Sequence, residues 1–243
     1  LMRLREGRKP NRRNAPKVFA LVATSPTIDL ELRAEALQKA LQRFNMNCRI
    51  IDEAEGRDKP TGYFDELEAN YDIVMLVTSV GDSSWFRLST RQADRVWVFG
   101  RADARPSNPL LPSHDSPAST LQLVDMILLH HSSQRPASQP ADWLDASGAA
   151  RLFHWHGLNT PSCERLARVM AGRSTGVILS GGGARAYAHI GVVRAPREAE
   201  IPIDFAGGAS MGAVVAACVA MGWPDDEIER RIRKAFVESN PLG

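Results

Sequence analysis

The sequence predicts an α/β protein, with a mostly parallel sheet in an N-terminal domain and a second α/β region after it. Three observations carry that reading. From Lys17 to about residue 157, short apolar runs alternate with amphipathic stretches, the pattern of parallel strands joined by crossover helices. Near the C-terminus, two glycine-rich turns, Gly181-Gly182-Gly183 and Gly208-Ala209-Ser210-Met211-Gly212, each follow a short apolar run and lead into a helical stretch. The composition, 44% hydrophobic and 24% charged, is that of an ordinary globular chain.

In chain order, Val18 to Ala23 is an apolar run that predicts a strand. Ile28 to Phe44 carries Leu30, Leu37, Leu41 and Phe44 among charged residues, which predicts an amphipathic helix. Cys48 to Ile51 predicts a short strand, Gly62 to Asn70 a short helix, and Ile73 to Val77 a buried strand. Thr90 to Asp94 is short and polar, and Val96 to Phe99 is a further strand. Leu121 to His130 predicts a helical turn running into a strand at Met126 to Leu129, and Leu152 to Trp155 a last strand. Residues 102–120 and 132–142 are rich in Pro, Ser and Ala and predict loops. Cys163 to Gly172 has Leu166, Val169 and Met170 on one face, a helix stopped by glycine. Beyond it come strands at Gly176 to Leu179 and Ile203 to Phe205. A nearly all-apolar helix is expected at Ala213 to Met221, and another starts near Trp223-Pro224-Asp225-Asp226.

Residues 1–17 hold seven Lys or Arg against one Glu. They predict a basic linker, or a tether that favours an anionic lipid surface. The net charge of +2 gives no strong field for nucleic acid. Cys48, Cys163 and Cys218 have no paired spacing and predict free thiols in a reducing compartment. No run approaches the length of a membrane span, and no signal peptide opens the chain. The expected location is cytoplasmic, with peripheral contact at the inner face of the membrane. Because the chain starts at a leucine and stops in mid-pattern, we read it as a segment of a longer protein.

The turn at Gly208 to Gly212 has the form G-x-S-x-G between a strand and a helix, the sequence form of a nucleophile elbow. In that turn Ser210 is the candidate nucleophile, and Gly208 and Gly212 let strand and helix backbones approach. The Gly181–Gly183 turn offers backbone N–H groups to an anion. Such a loop serves either a phosphate or the oxyanion of an acyl-transfer intermediate. A P-loop requires Gly-Lys-Ser/Thr at its end, and Ala184-Arg185-Ala186 stands there. A variant dinucleotide fingerprint, with Ala186 in the third position, remains open.

These residues resemble the start of a patatin-like phospholipase domain, and more closely its neuropathy target esterase branch. The likeness rests on Gly181-Gly182-Gly183-Ala184-Arg185, Gly208-Ala209-Ser210-Met211-Gly212 and the IPID segment between them. It is specific over about residues 164–240 and looser before that. The resemblance implies hydrolysis of phospholipid or lysophospholipid acyl esters by a Ser–Asp dyad. Ser210 would be the nucleophile and Gly181, Gly182 and Gly183 the oxyanion hole, with Arg185 bracing the loop or meeting the substrate phosphate, and no metal or cofactor. It also implies a cyclic-nucleotide-binding domain upstream in the full-length protein. Three departures stand out: Ala186 replaces a family glycine, Pro196 interrupts the intervening helix, and the sequence has no Asp-Gly dipeptide. The dyad aspartate is therefore expected outside this chain, and the chain alone is expected to be inactive.

The expected organisation is a basic linker at 1–17, a Rossmann-like domain without an obvious catalytic site at 18–157, and an incomplete patatin-like domain at 158–243. Two features of the first domain invite a site. Thr24-Ser25-Pro26-Thr27 and Asp82-Ser83-Ser84-Trp85 follow strands, where such folds bind ligands, but serines at strand ends are more often helix caps. His130-His131 and His154-x-His156 lack a placed Cys or carboxylate partner for a metal. The other function classes are a nucleotide-binding module and a non-enzymatic regulatory or interaction module.

Overall fold

The computed structural model describes residues 15–107, 110–111, 123–131 and 139–238. Most of the basic stretch, Leu121 and much of the two Pro/Ser/Ala-rich segments lie outside the described residues. The chain forms two compact units, Leu1–Gly172 and Arg173–Gly243.

The first unit is built on six parallel strands: β1 (Val18–Ala23), β2 (Cys48–Ile51), β3 (Ile73–Ser79), β4 (Arg95–Arg101), β5 (Leu123–His130) and β6 (Arg151–His156). Their order across the sheet is β2-β3-β1-β4-β5-β6, with every neighbouring pair parallel. The connecting helices are α1 (Leu30–Gln42), α2 (Glu53–Gly56), α3 (Thr61–Asn70), α4 (Ser84–Gln92), α5 (Pro140–Ser147) and α6 (Pro161–Met170). A parallel sheet is covered on both faces, and alternate residues of its strands point to opposite layers. Val18, Ala20 and Val22 of β1 share one face with Val74, Val96, Val98, Val124 and Met126, under Trp85, Phe86 and Trp143 from α4 and α5. On the other face Phe19 meets Trp97 edge to face, and Phe99 meets Trp155. Trp85, Trp97 and Trp155 are fully buried, each worth roughly 1.5–3 kcal/mol of apolar burial. Each indole N–H keeps a partner, Val77 O, Asp125 and Leu158 O respectively, as buried Trp requires.

Several boundaries differ from expectation. Helix α6 packs on α1 in the first unit, so the units divide at Gly172/Arg173 and not ahead of this helix. Leu123–His130 is strand throughout, because pairing with β4 and β6 extends the ladder over the whole run. Thr90 lies in the last turn of α4, which Ser83 opens by accepting from Phe86 N–H at 3.0 Å. The segment from Pro140, expected as loop, is helix α5, with proline in its first turn, where a missing N–H is harmless.

In the second unit, β7 (Gly176–Leu179) and β8 (Phe205–Gly208) pair in parallel, joined by a 3₁₀ turn (Gly183–Tyr187) and helix α7 (Ala188–Glu198). Strand β8 begins two residues later than expected, after Asp204, whose buried carboxylate accepts from Thr175 N–H at 3.0 Å. Helices α8 (Met211–Ala220) and α9 (Asp225–Arg233) follow. Leu179, Ile190, Val193, Val215, Ala216 and Val219 form the core with Ile228 and Ile232. Pro196 does not end α7, which continues to Glu198. In the last turn a proline removes one intrahelical bond, and Ala199 N–H to Ala195 O at 3.1 Å closes the helix around it.

Candidate active site

Strand β8 delivers the chain into the elbow. Ser210 has φ 50° and ψ −129°, a left-handed backbone that costs a non-glycine residue about 1–3 kcal/mol. The surroundings hold it there. Ala209 N–H donates to Leu179 O at 3.0 Å, Gly212 N–H to Ala209 O at 2.9 Å, and Ala213 N–H to Ser210 O at 2.9 Å. Ser210 is exposed and makes no capping bond to its helix, so among the described residues its hydroxyl is uncommitted.

The two flanking glycines are required by contact. A Cβ on Gly208 would lie 2.5 Å from Gly212 C and 2.7 Å from Leu179 O. A Cβ on Gly212 would lie 2.7 Å from Leu179 C, with the Leu179 and Ser180 carbonyl oxygens closer still. Real Cβ contacts essentially never fall under 3.0 Å. Bare backbones at both positions let α8 start directly against the end of β7.

The same closeness brings the first glycine turn to the elbow. A Cβ on Gly181 would lie 3.2 Å from Ser210 Cβ. Among the described residues, the backbone N–H groups of Gly181, Gly182 and Gly183 have no backbone acceptor. Met211 N–H, at the first position of α8, has none within its helix either; the sequence reading did not single it out. Gly183 takes φ +55° and opens the 3₁₀ turn, in which Arg185 is exposed and Ala186 is buried. The fold therefore accommodates the methyl group that replaces the family glycine.

Polar side chains near the two turns have separate duties. His189, in the first turn of α7, donates from Nε2 to Ser180 O at 2.8 Å. The carbonyl can only accept, so this nitrogen carries the proton. Asp225, expected from the sequence at the start of a helix, forms ion pairs with Arg197 and, at 3.7 Å, with Arg194. It ties α9 to α7, and no carboxylate among the described residues bonds to Ser210.

In the first unit, the carboxyl edge of the sheet holds a cleft of about 470 Å³. Its acidic lining is Asp29, Glu31, Asp52, Glu53 and Asp82. Asp29 accepts from Leu32 N–H at 2.9 Å and Asp52 from Glu55 N–H at 2.8 Å. The helix N-termini where a phosphate would bind are thus already capped by carboxylates. Thr24 is likewise committed, donating from Oγ1 to Phe99 O at 2.9 Å.

The histidines do come together. His130 Nε2 and His154 Nδ1 are 2.8 Å apart, and the His130 and His156 rings stack at 4.1 Å between centroids. Burial, then the neighbouring His130, His156 and Arg165, lowers the His154 pKa to about 4. Among the described residues no group of three His, Cys, Asp or Glu is arranged to hold a metal ion. The three cysteines are free and buried, and burial pushes the Cys48 and Cys163 thiols up to about 11. Among the described residues, no helix is long and apolar enough to cross a membrane.

The model of the patatin-like phospholipase family matches residues 177–240. The chain is 25% identical over 241 residues to human patatin-like phospholipase domain-containing protein 6, covering 88% of this chain and 17% of that protein. It is 27% identical to an uncharacterized NTE family protein of Mycobacterium tuberculosis, covering 99% of this chain and 40% of that one. It is 26% identical to lysophospholipase NTE1 of Yarrowia lipolytica, covering 74% of this chain and 16% of the relative. The chain thus spans well under half the length of each of these relatives. The model of the Neuropathy Target Esterase family P-loop like domain matches residues 28–164, more than half of the sequence, and the chain belongs to the neuropathy target esterase family.

Proposed function

We propose that the full-length protein is a serine esterase that hydrolyses acyl esters of phospholipids or lysophospholipids, with Ser210 as nucleophile. The carrying observation is the meeting of two loop ends. One bears an exposed hydroxyl on a left-handed bend. The other bears amide hydrogens without backbone acceptors and packs against the Ser210 Cβ. The names of the relatives, phospholipase and lysophospholipase, direct the substrate class.

In this reading Ser210 Oγ attacks the ester carbonyl carbon and passes its proton to an aspartate. The resemblance locates that residue in an Asp-Gly motif absent from this sequence. The carbonyl oxygen becomes an oxyanion held by N–H groups of Gly181, Gly182 and Gly183, each such donor being worth about 3 kcal/mol. Collapse breaks the C–O bond, and the leaving alcohol takes the proton back from the carboxyl group. Water then attacks the acyl-serine, returns a proton to the serine oxygen through the same carboxylate, and releases the fatty acid. Arg185, exposed beside the loop, is free to face an anionic headgroup.

A phosphate-cradle reading of the glycine turn is less well supported, because the turn leads into a 3₁₀ segment and α7 starts only at Ala188. The aligned helix dipole that favours phosphate therefore does not begin at these amides. The test is fluorophosphonate labelling of the full-length protein and of Ser210→Ala. Labelling of the wild type and none of the variant is expected; equal labelling of both ends the proposal.

A further inference from the structure

We propose that His189 is a positioning residue for the oxyanion loop, acting through the Ser180–Gly181 peptide; this rests on the esterase reading above. His189 Nε2 donates to Ser180 O at 2.8 Å. The same carbonyl oxygen lies against Gly212, where an added Cβ would fall inside 3.0 Å of it. The oxygen is thus held between an imidazole N–H on α7 and the bare backbone at the start of α8.

A trans peptide is planar, and its C=O and N–H point in opposite directions. Fixing the Ser180 oxygen therefore fixes where the Gly181 hydrogen points. Gly181 abuts Ser210 Cβ, and its N–H has no backbone acceptor among the described residues. Three glycines in a row leave this loop little intrinsic preference against rotating a peptide. If the 180–181 peptide turned over, it would present a carbonyl lone pair where a developing oxyanion needs a hydrogen. The histidine bond opposes that rotation. It also commits the Nε2 proton, so His189 is not the base that activates Ser210.

The experiment uses the full-length protein with a soluble short-chain p-nitrophenyl ester and a fluorophosphonate probe. Activity and labelling in the wild type, both lost in Ser210→Ala, secure the esterase reading independently. His189→Leu, similar in bulk but without a donor, should lower kcat and the labelling rate about 10–100-fold with KM within twofold, because only transition-state stabilisation is removed. His189→Gln, which places an amide N–H near the Nε2 position, should return to within about threefold of wild type. A folded His189→Leu protein with wild-type kcat overturns the inference, as does equal impairment of the Leu and Gln variants, or a change in KM alone. An inactive wild type overturns the esterase reading and this inference with it.

Discussion

Gly208→Ala offers the sharpest quantitative test of the elbow. The added Cβ would lie 2.5 Å from Gly212 C, 2.6 Å from Gly212 O and 2.7 Å from Leu179 O. All three are backbone atoms, so no side-chain rotation relieves the overlap. Reaching the 3.0 Å limit takes 3.0 − 2.5 = 0.5 Å of movement, and ordinary contact at 3.4 Å takes 3.4 − 2.5 = 0.9 Å. The start of α8 must therefore move away from β7 and β8 by about half to one ångström. Reactive groups tolerate about 0.5 Å, and a 1 Å misplacement costs on the order of 100-fold in rate. We expect a 10–100-fold slower fluorophosphonate labelling of Ser210 in the full-length protein and a stability loss of about 1–3 kcal/mol, as for overpacking. Gly207→Ala is the control: it lies one residue earlier in the same strand, and its Cβ would meet nothing within 4 Å. Stopped-flow or gel-based labelling rates, with urea unfolding alongside, measure both effects. Equal behaviour of the two variants, or a wild-type rate for Gly208→Ala, would refute the argument that contact at the strand–helix junction sets the position of Ser210.

Two further predictions concern the first unit. Asp125 is wholly buried and accepts from Arg95 at 2.8 Å, from Arg151 at 2.7 and 2.8 Å, and from Trp97 Nε1 at 3.0 Å. Asp125→Ala strands two cationic side chains, and chemical denaturation should show a loss of about 3–5 kcal/mol; a loss under 1 kcal/mol would contradict a structural role. For His154, the folded pKa of about 4 lies below the ordinary histidine value of 6.5. The unfolded chain therefore binds more protons between those two values, and stability should fall as pH drops from about 6.5 to about 4. Its ring faces His130 and His156, with Arg165 nearby. Denaturation midpoints measured across pH 7 to 4 should decline less in His154→Gln; identical slopes would count against this assignment.

Much of the fold was legible because local rules govern it. Apolar runs such as Val18–Ala23 and Ile73–Val77 are strands in the structure, and the Leu30, Leu37 and Leu41 periodicity is helix α1. The misreadings fall where neighbours outweigh local preference. Leu123–His130 is extended over its full length because strands on both sides pair with it. Helix α5 escaped notice because Pro, Ser and Ala around residue 140 read as loop, although proline starts a helix well. Pro196 is held within α7 because its place is the last turn. The burial of Asp125 had one sequence signal, a lone carboxylate in an apolar run; its arginine partners are brought to it by strand register.

For this chain, the residue order alone determined the alternation of strands and helices, the two glycine turns and the serine between Gly208 and Gly212, since these depend on side-chain period and on where a Cβ is missing. Only the tertiary structure decided that Gly181 lies against Ser210, that His189 bonds to the Ser180 carbonyl, and that Asp225 is spent on Arg194 and Arg197. Those contacts join residues from 9 to 31 positions apart. Gly181 meets Ser210 because the parallel pair β7–β8 returns the chain to the same sheet edge, and the other contacts come from the packing of α7 beside β7 and α9; spacing along the sequence does not encode which atoms will face each other in either case.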